Sequence, residues 1–224
     1  MIPKFNAIVL SIAMTIICFN SAFSQDSDEK SEKSINRRYA FFDYRGSNAV
    51  DIAAGSAMVE GDYPESEFEV YFRVGYKHHI TSHLNINITF NKYNVAIKDI
   101  YNEGFMSFDL NLEFLLSPYT KFSPFLYAGG GYNASNYFES TATKAQGGAG
   151  FEFIIREGIG LKLFGEYNYM LTDEIDGRIE GEADDILLRA GLGLNIYFGG
   201  NKKKEAIRRK MKTVINSNLI IPYN

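Results

Sequence analysis

The sequence predicts an all-β fold: an eight-stranded antiparallel transmembrane up-and-down β-barrel with short periplasmic turns and longer external loops. Three observations predict it. Side chains alternate between apolar and polar with a two-residue beat from Phe68 to Phe198. The polar phase of that beat carries full charges, and the chain opens on a segment with the features of a secretory signal. Phe68, Val70, Phe72, Val74 and Tyr76 fall on one face of a strand, with Glu69, Tyr71, Arg73 and Gly75 on the other. The interior of a soluble sandwich cannot hold Arg and Glu cheaply. A strand with lipid on one side and a polar lumen on the other can. The rival arrangement is a soluble eight-stranded barrel of lipocalin type, with Phe, Leu and Ile inside and charges outside. Alternation alone does not separate the two, but the signal segment, the aromatic density and the loop asymmetry favour the membrane.

The elements follow in order. Residues 1–24 contain Lys4, an apolar run from Ala7 to Phe19 and the small-residue site Ala22-Phe23-Ser24. This is the pattern of a signal peptide cleaved before Gln25, and the run is shorter than the roughly 20 residues of a membrane helix. The single cysteine, Cys18, lies inside it, so disulfide and thiolate chemistry are excluded from the mature chain. Residues 25–47 begin acidic and polar (Asp26, Asp28, Glu29, Glu32) and read as a flexible periplasmic lead-in, with Tyr39–Tyr44 reaching the barrel. Turn residues then divide 48–199 into strands near 48–59, 67–80, 84–93, 104–117, 122–134, 143–156, 159–171 and 184–198. The connections at 81–83, 117–121 and 157–158 are short. Those around 61–64, 94–103, 135–142 and 172–183 are longer and more polar. An even strand number with this asymmetry places both termini in the periplasm and the long loops outside.

On the inward face the alternation puts Glu69, Arg73, Lys77, Asp109, Glu113, Glu152, Arg156, Lys162, Glu166 and Arg189. An eight-stranded barrel is just wide enough to be filled by side chains. Charges balanced in number therefore predict a cross-lumen ion-pair network rather than a water-filled pore, because an unpaired buried charge costs several kcal/mol. Glycines at 129–131, 147, 148 and 150 suit tight curvature, with Tyr71, Tyr127 and Phe164 packing over such positions. No helix follows either cluster, which argues against a nucleotide site.

His78, His79 and His83 are the only histidines, and the first two point to opposite sides of a strand, so no metal site or other cofactor site is predicted. No Ser-His-Asp set can be assembled by strand position, so a lipid-modifying enzyme or protease is a minor alternative and no catalytic residue is assigned. Asp173, Glu174, Asp176, Glu180 and Glu182 crowd one external loop, with Arg178 their only basic neighbour. They are candidates for bridging to lipopolysaccharide through divalent cations, which prefer carboxylate oxygen. After Phe198 the tail 200–224 holds seven cations against Glu205 in residues 202–212. It is expected to be a solvated periplasmic segment, with a short helix or contact with anionic lipid as alternatives. The net charge of −4 is too mild to imply a nucleic-acid partner.

The eight alternating strands, the short turns and the Asn195–Gly199 ending resemble the OmpA/OmpX-like superfamily of small outer-membrane barrels across residues 48–199. That ending is similar to the terminal signal read by the barrel-assembly machinery. Lys121–Gly131, Asn133–Asn136 and Gly181–Asp185 resemble barrel proteins that accompany curli-type, CsgG-like secretion genes. The resemblance implies a structural, surface-interaction or secretion-accessory role in the Gram-negative outer membrane. Its expected partners are lipid, lipopolysaccharide, and a protein at the loops or the C-terminal tail. A narrow channel is the other membrane reading.

Overall fold

A computed structural model describes residues 27–60, 67–97, 101–136, 138, 140–171 and 186–211. Helix α1 (Ser27–Tyr44) leads into strands β1 (Asn48–Glu60), β2 (Glu69–His79), β3 (Leu84–Ile97), β4 (Tyr101–Leu115), β5 (Phe122–Ser135), β6 (Thr141–Arg156), β7 (Ile159–Met170) and β8 (Ile186–Phe198). Helix α2 (Asn201–Arg208) follows. Each strand pairs with its sequence neighbour, and β1 pairs with β8 to close the barrel. Closure leaves no unpaired edge, which is the condition for β structure in lipid. The chain divides within α1 into two compact units, Met1–Ser34 and Ile35–Asn224; the second holds the barrel, the end of α1 and α2.

All eight expected strands form, and most bounds agree within a few residues. The largest departure is at β3 and β4. The expected loop 94–103 is mostly ladder, with Asn94 opposite Gly104 and Ile97 opposite Tyr101. Only residues 98–100 separate the two strands, fewer than the six between β4 and β5. Asn94 and Gly104 are strong turn formers by type, yet they sit opposite each other within the β3–β4 ladder.

Two further expectations change. Residues 27–44 form a helix rather than a flexible lead-in. Its charged residues are fair helix formers, and its last turn is anchored by Phe41, which is 2% exposed. The tail starts as helix α2 rather than as a solvated strand of chain, with Gly199 and Gly200 in left-handed backbone (φ 72° and 98°) turning it away from β8. The expected signal peptide and the acidic loop residues Asp173, Glu174, Asp176, Glu180 and Glu182 lie outside the described residues.

The two faces of the wall differ as the alternation requires. Outward residues such as Val70, Phe72, Val74, Leu110, Leu112, Leu163 and Leu192 are each more than half exposed. So continuous an apolar surface is unsuited to water and suited to acyl chains. Inward residues are buried and mainly polar. Among the described residues no helix is long and apolar enough to cross a membrane, a statement that does not bear on strands.

Candidate functional site

The lumen of the described residues holds three groups of paired ions, stacked along the barrel. Five carboxylates (Asp51, Asp109, Glu113, Glu152, Glu166) meet six cations (Arg45, Arg73, Lys77, Lys144, Lys162, Arg189), and none is more than 4% exposed. Near the end that carries the helices, Glu152 accepts from Arg45 Nε at 2.8 Å and from Asn195 and Tyr197, both at 2.5 Å. Arg45 Nη1 also donates to the Pro118 and Thr120 carbonyls at 2.7 and 3.0 Å, fastening the end of α1 to the β4–β5 turn.

One layer further in, Lys77 donates to both oxygens of Glu113 at 2.9 and 2.7 Å, and Asn85 to one of them at 3.0 Å. Lys162 is the register neighbour of Glu152 on β6. It reaches instead to Asp51, with contacts of 2.6 and 2.5 Å. The next layer centres on Glu166. It accepts from Arg73 at 2.5 Å, from Tyr127 at 2.8 Å and from Arg189 Nε at 2.7 Å, with a second Arg189 bond through Nη2. Arg189 continues to Asp109 at 2.8 Å, and Lys144 meets that carboxylate at 3.0 Å. Aromatic rings line the same layer: Arg73 lies 4.6 Å from the Phe164 ring centre and Arg189 5.1 Å from that of Tyr71.

Both ends of this polar column are covered. At the loop end Val59, Tyr93, Val95, Phe105, Met170 and Leu187 belong to a buried apolar cluster, with Tyr93 and Phe105 stacked at 5.9 Å. At the helix end Phe41 meets the His79 ring edge-on at 5.2 Å, and Tyr44 packs on Ala49, Ile154 and Tyr197. The ions are thereby held where water cannot screen them, and pairing is enforced by the cost of desolvation.

Eight of the ten residues expected in the lumen take part in these ion pairs. Glu69 and Arg156 do not. Glu69 opens β2 at the loop end, is only half-buried and makes none of the ion pairs. Arg156 is exposed, because the register of β6 against β7 shifts between Ile154 and Arg156. That bulge adds a residue to the strand and turns Arg156 outward. Sequence reasoning missed Asp51, Lys144 and Arg45. The first two share the inward phase of their strands, Lys144 with Gln146 and Glu152, and extending the alternation would have found them. Arg45 precedes β1 and carries no periodic signal.

The expected packing over glycine holds at Gly148, under Tyr127, while Phe164 packs instead on Gly191, outside the expected clusters. A Cβ on Gly148 would lie 2.4 Å from Tyr127 Cζ, and one on Gly191 would lie 3.2 Å from Phe164 Cζ and 2.8 Å from a backbone oxygen. The histidines separate as expected: His79 is buried, while His78 is exposed beside Asn48 at 2.7 Å. His83 bonds the Leu115 carbonyl at 2.7 Å. Among the described residues no three His, Cys, Asp or Glu side chains group as a metal site.

No protein-family model matches the chain, and no curated protein matches it in sequence. Solved structures do resemble it. Neisserial surface protein A superimposes with a TM-score of 0.56 at 13% identity, over 68% of this chain and 98% of that one. The N-terminal barrel domain of Pseudomonas aeruginosa OprF gives 0.43 at 14% identity, over 68% of this chain and 99% of its own. Ail, the attachment invasion locus protein of Yersinia pestis, gives 0.43 at 14% identity, over 69% and 99%. At such identities the likeness is one of fold. The chain is a closed eight-stranded antiparallel barrel with the fold of the small outer-membrane barrels, its charges turned inward and its apolar side chains outward.

Proposed function

We propose that the protein is a non-conducting, non-enzymatic barrel of the Gram-negative outer membrane, with both termini in the periplasm. Its role is structural or interactive, exercised through the connections at the loop end and through the terminal segments. The observation that carries this reading is the lumen: eleven buried ionic groups are tied across the barrel and covered at both ends by apolar side chains. A path for ions or solutes needs mobile water and sites that release what they bind. A cross-linked column of mutually neutralising charges supplies neither.

The non-enzymatic part is supported by the fates of the histidines. His79 is buried among Phe41 and Tyr197, His78 shares the Asn48 side-chain oxygen with the Tyr76 hydroxyl, and His83 meets a backbone carbonyl through Nδ1. Among the described residues no histidine ring bonds a Ser or Thr hydroxyl, the pairing that acyl transfer or proteolysis would use. The resemblance of Lys121–Gly131, Asn133–Asn136 and Gly181–Asp185 to curli-associated barrels motivates a secretion-accessory role, with a protein partner at the loops or tail and lipopolysaccharide around the external rim.

The reading is tested by adding the purified, folded protein to planar bilayers. The expected result is no steady conductance at moderate voltage. A stable, reproducible pore current in the native protein overturns it in favour of a narrow channel.

A further inference from the structure

We propose that the helix-bearing end of the barrel is a collar that binds anionic phospholipid headgroups. This rests on the membrane reading above and adds to it a lipid class and the residues that select it.

The first observation is where the cations stand. Lys121 directly precedes Phe122, and Arg156 directly follows Ile155; these apolar neighbours are 51% and 57% exposed on the outer wall. Helix α2 starts three residues after Phe198, itself 47% exposed, and Lys202, Lys203 and Arg208 within it and Arg209 just after it are all exposed. Cations on three separate segments therefore sit at the border where the apolar band ends. A long basic side chain there lays its stem along hydrocarbon and its charge at headgroup level. An acidic protein or a nucleic acid could be served by cations anywhere on this end. Only a lipid surface rewards cations placed next to the outward apolar residues around the rim.

The second observation is Arg156 itself. Alternation would have sent it toward the lumen, where Glu152 stands two inward positions away, yet the bulge after Ile154 delivers it to the outer rim. Among the described residues it makes no ion pair there. Its outward position is built by the strand register.

The third is that α2 is held in place with its charge outward. Ile207 is 8% exposed, Lys204 bonds Asp43 at 2.7 Å, and Lys203 lies 6.0 Å from the Phe42 ring. Exposed carboxylates on these segments are few, Glu157 and Glu205. The exposed cations make this end suited to a leaflet rich in anionic phospholipid.

The test uses the full mature chain, folded and reconstituted into bilayers of equal parts phosphatidylglycerol and phosphatidylcholine. The protein is re-extracted in mild detergent and the retained lipid is quantified by mass spectrometry. The expected result is an enrichment of phosphatidylglycerol of about fivefold or more, falling toward parity in high salt. The variant K202Q/K203Q/R208Q/R209Q is expected to lose most of that enrichment, and Arg156→Gln alone to lower it measurably. Both lie on exposed positions and should retain the electrophoretic shift of a folded barrel. Parity in the native protein, full enrichment in the quadruple variant, or preferential retention of added lipopolysaccharide each overturns the proposal. A native protein that inserts into pure phosphatidylcholine but shows parity defeats only the headgroup collar. One that does not insert at all defeats the membrane reading with it.

Discussion

Glu166 is the hub of the lumen, and its neutralisation is the sharpest perturbation of the network. In Glu166→Gln the carboxylate that accepts Arg73, Tyr127 and Arg189 becomes an amide with one acceptor atom. Arg189 keeps Asp109 at 2.8 Å and Asn168 at 3.0 Å. Arg73 is left with Asn91 at 3.0 Å, a neutral acceptor, and with the Phe164 ring. The cost is therefore mainly that of one buried guanidinium deprived of its counter-charge, about 3–5 kcal/mol. With an m-value of about 2 kcal/mol/M in urea, the unfolding midpoint of the barrel in vesicles should fall by roughly 2 M. Removing both charges in R73M/E166Q should recover most of the loss, because no uncompensated ion remains. Glu69→Gln and Arg156→Gln serve as controls. They neutralise residues of the same inward sequence phase that the structure leaves outside the network, and each should stay within about 0.5 kcal/mol of the native protein. A loss below about 1 kcal/mol in Glu166→Gln, or a double variant less stable than the single one, would refute the account of a tightly paired lumen.

Two other perturbations probe the wall and the helical end. Gly148→Ala should cost about 1–3 kcal/mol, since the new Cβ would lie 2.4 Å from Tyr127 and 2.6 Å from the Gly165 carbonyl oxygen, while Gly165→Ala, with no atom within 4 Å, should be nearly neutral in thermal unfolding. The hydrogen bond to Asp43 holds the Lys204 ammonium above the ordinary lysine value. A raised folded-state pKa means that the contribution is full below the ordinary lysine value and is lost as pH rises through the folded one. Lys204→Ala should accordingly cost less than about 1 kcal/mol at pH 7, and hydrogen exchange at the α1–α2 contact should no longer distinguish variant from native at strongly alkaline pH.

Much of this molecule is legible in its sequence because a strand's side-chain period is local. Phe68–Tyr76 and Met106–Leu116 declare their two faces without reference to anything else in the chain. Eight such segments, with turns between them, are enough to announce the barrel and most of its inward charges. Strand β1 was harder to read: Ala49, Ala53 and Ala57 hardly contrast with their neighbours, and so Asp51 was not recognised as a lumen residue. Lys144 was obscured in the same way by the small residues around it on β6.

The sequence by itself determined the strand count, the closed antiparallel order and which face carries charge, since each follows from periodicity and turn chemistry along the chain. Only the tertiary structure decided which charges pair. Lys162 passes over its register neighbour Glu152 to reach Asp51, 111 residues away, and Arg45 takes Glu152 from outside the strands altogether. Arg156 was turned outward by a single bulge that no alternation pattern contains. The end of α1 became a cover because Phe41 and Arg45 find partners on β2, β6 and the β4–β5 turn. Side-chain phase is a property of neighbouring residues, whereas ion pairing and closure depend on distances set only when all eight strands have met.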